Sequence, residues 1–160
     1  MAKPVIRIAE TDDDFRQARG LVHEYADWLE VDLCFQGFDE EMAHFASVYG
    51  PPRGRLLLAM DGAEAVGCVG LRPISAAGEG EIKRLFVRPS HRGTGLGNAL
   101  FAAIIDAART LEYRRLRLDT LPRRMPEAAV MYRRFGWVET PAYYDNPIPD
   151  VVFYELDLVS

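Results

Sequence analysis

The stretch EIKRLFVRPSHRGTGLGNAL, residues 81–100, decides how the rest of the chain is read. Its first part, EIKRLFVRP, has the composition of a strand and stops at Pro89. Arg92 follows, then glycines at 93, 95 and 97. Leu96, Leu100, Ile104, Ala108 and Leu111 then recur at helical spacing, which predicts a helix over Gly95–Leu111. Three glycines in five residues raise the conformational entropy lost on folding, and a tight turn alone needs only one. A strand-to-helix joint of this kind leaves backbone N–H groups unpaired where the helix dipole favours negative charge. Without side chains at Gly93, Gly95 and Gly97, a ligand can approach the backbone closely. The forked cation of Arg92 suits phosphate oxygens. A pyrophosphate would satisfy all these groups together. Two commoner phosphate loops are absent: G-x-G-x-x-G fails at Leu100, and the Gly-Lys-Ser/Thr ending of a Walker loop is missing.

Outward from this joint the elements fall into order. VIRIAE reads as a first strand, and TDDDFRQARGLVHEYADWLEV as a helix opened by capping acids. DLCFQGF connects it to a short second helix over Asp39–Tyr49. After the break GPPRG come the strands RLLLAM, AVGCVGLRP and EIKRLFVRP, with a hairpin turn at Asp61-Gly62. Beyond the glycine helix come a strand (RRLRLDT), a helix from Pro126 to a stop at Gly136, and a final strand (VVFYELDL). A helix joining two strands of one sheet implies a single parallel crossover. The expectation is an α/β domain with a mixed sheet, filling residues 1–160 without a linker or repeat.

Composition narrows the function. The 160 residues are 49% hydrophobic and 27% charged, as in an ordinary globular domain. Residues 1–80 carry 7 Lys/Arg against 14 Asp/Glu, and residues 81–160 carry 12 against 10. That asymmetry suits a cationic substrate on one side and an anionic ligand on the other, and it argues against nucleic acid, which wants a basic footprint. The paired arginines at 114–115, 123–124 and 133–134 read mostly as solvated edges, with some able to meet a phosphate. Cys34 and Cys68 have no metal spacing, and the three histidines are scattered, so no metal site is expected. The N-terminus has no apolar signal core and no apolar run is long enough to span a bilayer. A cytoplasmic protein with reduced thiols and no membrane partner is the expectation.

At this point the chain resembles the GNAT superfamily of acetyl-CoA-dependent N-acetyltransferases. RGTGLG fits its R/Q-x-x-G-x-G/A signature, and EIKRLFVRP looks like its fourth strand. AAVMYRRFGW is similar to its A-x-x-x-Y-x-x-x-G-F segment, with Trp137 in place of the usual Phe. Element order agrees over essentially the whole chain. DLCFQGFDEE and YYDNPIPDVVFYEL resemble a bacterial subgroup whose substrates are poorly defined. The resemblance implies a mostly antiparallel central sheet of six to seven strands, flanked by about four helices and splayed between the fourth and fifth strands. A homodimer would also be in keeping with the superfamily.

The resemblance assigns roles. Backbone amides of Gly93, Thr94, Gly95, Leu96, Gly97 and Asn98, with Arg92, would meet the pyrophosphate of acetyl-CoA. Main-chain groups of Leu85, Phe86 and Val87 would pair with pantetheine as an added strand does, with an N–H at Phe86 or Val87 as oxyanion donor. Tyr132 would stand beside the CoA sulfur as general acid. Glu81 corresponds to a strand carboxylate used as base in some members. Strand alternation would put it on one face with Lys83, Leu85 and Val87, about 13 Å along the strand from the thioester, a distance for a water relay. Asp119 corresponds to the acid used in others. An asparagine that many members carry seven residues before the tyrosine is Met125 here, so that contact is not carried over.

For the acceptor, Phe35, Gln36 and Phe38 between the first helices, and Tyr143, Tyr144, Asp145 and Asn146 before the last strand, offer aromatics beside acids that could hold an ammonium. The expected activity is direct acetyl transfer, within a ternary complex, to a primary amine of a small molecule or amino acid. Two alternatives stand beside it: acetylation of a protein N-terminus or lysine, and a non-catalytic acyl-CoA-binding sensor.

Overall fold

The computed structural model describes residues 3–30, 37–74 and 78–159. It contains a seven-stranded sheet: β1 (Val5–Ile8), β2 (Arg55–Asp61), β3 (Glu64–Pro73), β4 (Glu79–Val87), β5 (Arg115–Thr120), β6 (Val138–Thr140) and β7 (Val152–Asp157). Their order across the sheet is β1-β2-β3-β4-β5-β7-β6. Every neighbouring pair is antiparallel except β4–β5, the expected crossover. Five helices are described: α1 (Asp12–Leu29), α2 (Phe38–Ala43), α3 (Phe45–Val48), α4 (Leu96–Thr110) and α5 (Pro126–Arg134). The single helix expected over Asp39–Tyr49 is two short ones, broken at His44, where φ is −121°.

The capping acids of α1 act as their position suggests. The Asp14 amide donates to the Thr11 hydroxyl, and the Asp14 carboxylate accepts from the Thr11 and Glu10 amides, a reciprocal capping box. The same carboxylate takes both arms of Arg7 from β1 at 2.6 and 2.8 Å, which locks the helix start to the sheet edge. The apolar stripe of α1 then packs on one sheet face with Phe45, Tyr49, Leu58 and Phe86. The stripe of α4 packs on the other, with Leu100, Phe101 and Ile104 fully buried against Leu71, Leu116 and Trp137.

Two irregularities in β4 shape the rest of the molecule. First, β4 and β5 pair only over Glu79–Glu81 with Arg115–Arg117; beyond that the strands splay, as the resemblance implied. Second, Cys68 of β3 faces Phe86 while Gly70 faces Lys83, so Val69 alone opposes both Arg84 and Leu85. This is a β-bulge, and Arg84 sits in it at φ +62°. The extra residue reverses the alternation downstream. Leu85 and Val87 therefore join Ile82 in the cluster against α4, while Phe86 turns to the α1 face. The shared face expected for Glu81, Lys83, Leu85 and Val87 does not form, because strict alternation assumes an unbroken ladder.

Candidate active site

The splay opens a cleft whose walls are β4 and β5. Lys83, Arg84 and Leu85 line it from one side and Leu118, Asp119 and Thr120 from the other, with Tyr25 and Leu29 of α1 and Tyr132 of α5 closing it above and below. A continuation runs along Leu85–Val87 past Trp28 and Met125 to Arg92. The bulge sets what β4 shows to this channel. The Arg88 amide bonds the Val66 carbonyl of β3 at 2.9 Å, and by the alternation of an antiparallel ladder Phe86 also points its amide and carbonyl toward β3. Leu85 and Val87 then present theirs to the cleft, and Phe86 contributes its side chain. The three-residue edge expected from sequence is thus two residues wide.

At the far end of the channel lies the glycine joint. A short 3-10 turn, Pro89–His91, leads into it, and Gly93 and Gly95 have φ of +76° and +84°. Their glycine identity is set by this left-handed backbone, since an added Cβ at either meets nothing within 4 Å. Gly97 has no such φ, and a Cβ there would only touch Val87 at 4.0 Å. Among the described residues no amide from Gly93 to Asn98 finds an acceptor; the first bond of the helix is Ala99 N–H to the Gly95 carbonyl, 3.0 Å. An open cradle of unpaired donors at the start of a 15-residue helix fits a diphosphate in size and charge. Arg92 lies beside it, exposed, with its guanidinium 4.8 Å from the Trp28 ring and its Nε donating to the Val87 carbonyl at 2.8 Å.

Tyr132 is 6% exposed and packs against Phe101, Trp137 and Tyr154. Burial pushes its hydroxyl well above the usual tyrosine range, so it stays protonated at neutral pH. Tyr25, also in the cleft, is pushed up to about 12 for the same reason. Thr120, 2% exposed, turns its hydroxyl toward that of Tyr132 in this region.

The two carboxylates are placed differently. Asp119, next to last in β5, lies on the wall of the cleft, where its Oδ2 accepts from the Tyr144 hydroxyl and from Asn146 Nδ2. Glu81 is 2% exposed and stands behind the wall. Arg72 reaches it at 2.8 Å, Lys83 Nζ lies 4.0 Å away, and the Tyr143 hydroxyl donates to it at 2.5 Å. Burial alone would raise the Glu81 pKa, but the charges of Lys83 and Arg72 outweigh it and hold the group below the ordinary glutamate value. Lys83 is lowered by burial against the pull of Glu81.

Tyr143 and Tyr144, expected to face the acceptor, donate their hydroxyls to these carboxylates and so tie the loop between β6 and β7 to the sheet. Asn146 and Ile148 of that loop line the cleft. Phe35 and Gln36 lie outside the described residues. Phe38 opens α2 with its ring 5.4 Å from the Arg84 guanidinium. Sequence reasoning missed Tyr25 and Arg84. The apolar stripe of α1 hid the first, and nothing local marks an arginine as a bulge residue. No cluster of three or more His, Cys, Asp or Glu suited to a metal occurs among the described residues, nor any helix long and apolar enough to cross a membrane.

A splayed mixed sheet with an amide cradle at the helix that follows β4 is the arrangement that the resemblance to the acetyl-CoA-dependent N-acetyltransferases implied. Residues 18–137 match the acetyltransferase (GNAT) family, and the chain belongs to that family. It is 41% identical over 154 residues to an uncharacterized N-acetyltransferase of Schizosaccharomyces pombe, covering 96% of this chain and 92% of that one. A second uncharacterized N-acetyltransferase, from Dictyostelium discoideum, is 28% identical over 96% of this chain and 99% of its own. Among solved structures, a protein of Klebsiella pneumoniae assigned as an acyl-CoA N-acyltransferase superposes with a TM-score of 0.75 at 29% identity, over 98% of each chain. Relatives in a yeast and an amoeba show that the likeness is not confined to bacteria. An acetyltransferase fold from Salmonella typhimurium, solved with its cofactor acetyl-CoA, superposes over 99% of this chain and 96% of that one, with a TM-score of 0.71 at 19% identity. The protein is an N-acetyltransferase with acetyl-CoA as co-substrate.

Proposed function

We propose that the protein acetylates a primary amine of a small molecule or amino acid by direct attack in a ternary complex. The observation that carries this reading is the loop between β6 and β7. Two hydroxyls tie it to the sheet, Tyr143 to Glu81 and Tyr144 to Asp119. Its residues Asn146 and Ile148 line the cleft beside Asp119, and a cleft walled on that side suits a small amine better than an extended peptide, which needs an open groove. Bound acetyl-CoA supplies the acetyl thioester and leaves as the thiol.

The chain's residues divide the remaining work. Amides of Gly93–Asn98 and the Arg92 guanidinium hold the diphosphate, and the Leu85 and Val87 edge holds the pantetheine arm. The Val87 or Leu85 amide offers a donor where negative charge develops on the acyl oxygen. Asp119, on the cleft wall, attracts the acceptor ammonium and takes its proton. Tyr132 Oη, kept neutral by burial, gives a proton to the departing sulfur. Glu81, buried between Arg72, Lys83 and the Tyr143 hydroxyl, is better suited to fixing those groups than to reaching an acceptor amine. The buried Cys68 thiol and the need for acetyl-CoA fit a reducing compartment such as the cytoplasm.

The test is a screen of acceptors with acetyl-CoA, following release of the CoA thiol. Amino acids and small primary amines should support turnover, and peptides with a free N-terminus or lysine should not. Turnover confined to peptides would favour the protein-acetylating alternative. CoA binding with no turnover on any acceptor would favour the sensor.

A further inference from the structure

Arg84 stands where a bulge of this kind normally has glycine. Its φ of +62° is left-handed, and for a long side chain that conformation is strained. The residue is also 5% exposed. Its guanidinium meets Glu41 of α2 in two-pronged fashion, Nη2 to Oε1 at 2.7 Å and Nε to Oε2 at 3.0 Å. Glu41 is 3% exposed and accepts a third bond at 2.7 Å from the Tyr49 hydroxyl. Tyr49 reaches it by lying flat on β3 at Gly70, where a Cβ would come within 2.5 Å of its ring. The carbonyl of Arg84 is held as well, by the Cys68 thiol at 3.3 Å. Every bond of this group is buried.

Burying such a pair stabilises a fold little, because desolvation offsets the attraction, while breaking it leaves a lone charge in the core. A glycine would also form the bulge with less strain. The arginine therefore needs a reason other than stability or backbone geometry. The next residue, Leu85, is the first to show its main chain to the cofactor channel. We propose that the Glu41–Arg84 pair is a positioning device: it anchors the β4 bulge to α2 and so fixes the Leu85 and Val87 edge at the height and direction that the pantetheine arm requires. Burial opposes the charge on each partner, yet Glu41 is held below and Arg84 above the ordinary value, as expected of a pair that stays ionised. The device joins α2 to the donor edge through one contact. It rests on the reading of the β4–β5 cleft as the cofactor channel.

The experiment compares wild type with Arg84→Gly, Glu41→Gln, their double variant and Tyr49→Phe. Three readouts are taken: thermal unfolding, calorimetric titration with CoA, and the hydrogen-exchange protection that CoA confers on Leu85 and Val87. Wild type must bind CoA and protect these amides; failure there would count against the cleft reading itself. Arg84→Gly keeps a backbone able to form the bulge and loses only the guanidinium. It and Glu41→Gln should each fold yet weaken CoA binding by about ten-fold or more and lose protection at Leu85 and Val87. The double variant should be no worse than either single change. Tyr49→Phe should weaken binding in the same direction but less. A folded Arg84→Gly that binds CoA like wild type, or losses that add in the double variant, would overturn the proposal. Should the charge variants fail to fold, wild-type CoA affinity in Tyr49→Phe would overturn it equally.

Discussion

Tyr132 illustrates how one buried hydroxyl can be both packing and chemistry. Its ring is fixed among three aromatic neighbours, so Tyr132→Phe should fold normally and bind CoA with little change. If the hydroxyl donates the proton, kcat should fall about 10²-fold or more; an unchanged kcat at saturating acceptor would exclude that role. The carboxylates separate in the same assay. Asp119→Asn should lower kcat. Glu81→Gln should leave any titration of the rate near neutral pH in place, because Glu81 is already ionised there. The sign follows from its depressed folded pKa: its stabilising share is complete above the ordinary glutamate value and is lost as pH falls through the lower, folded value. Asp14 obeys the same rule at α1, with Arg7 as the first cause of its depression. Asp14→Asn should cost about 1–3 kcal/mol at neutral pH, read by denaturant unfolding, and the penalty should shrink in acid as wild type loses the same contacts.

Among the elements, the joint before α4 separates backbone need from ligand need. Gly95→Ala should destabilise the fold by about 1–2 kcal/mol, since alanine resists the left-handed conformation, and should weaken CoA binding too. Gly97→Ala should leave stability nearly unchanged and weaken CoA binding, because the added methyl meets only Val87 but would stand in the cradle proposed for the diphosphate. Equal CoA affinity in Gly97→Ala and wild type would remove the cradle's steric argument. This joint, the strand before it and the tyrosine helix after it were legible in the sequence because each carries its own local signal: glycine spacing, a proline stop, helical periodicity. The features around Arg84 were not. Alternation along β4 predicts facing only while the ladder is regular, and Val69 opposing two residues is a fact about β3 as much as β4. Likewise Tyr143 and Tyr144 carry the same residue types whether they meet a substrate or a carboxylate. Contact with Glu81 and Asp119, 62 and 25 residues away, is decided by tertiary folding. The break of the second helix at His44 also had no glycine or proline to announce it.

For the molecule as a whole, a ligand that binds only the folded state should raise its stability by mass action. CoA at a hundred times its dissociation constant adds about 2.7 kcal/mol, which for a chain of this size is a rise in Tm of roughly 5–11 °C; no shift at that saturation would argue against specific binding. The splay has a second consequence at this scale. A sheet normally has two edges, and here those are β1 and β6. Because β4 and β5 part after three residue pairs, the sheet has two more edges in its interior, with main-chain donors and acceptors along Leu85–Val87 and Leu118–Thr120. An edge without a neighbouring strand is a template for strands from other molecules, so the cleft proposed for the ligand is also the place where one copy can catch an extended segment of another. Saturating CoA should therefore slow aggregation at temperatures well below Tm, by more than its effect on unfolding explains. Light scattering at constant temperature, with CoA and with a stabilising osmolyte matched for Tm, would separate the two.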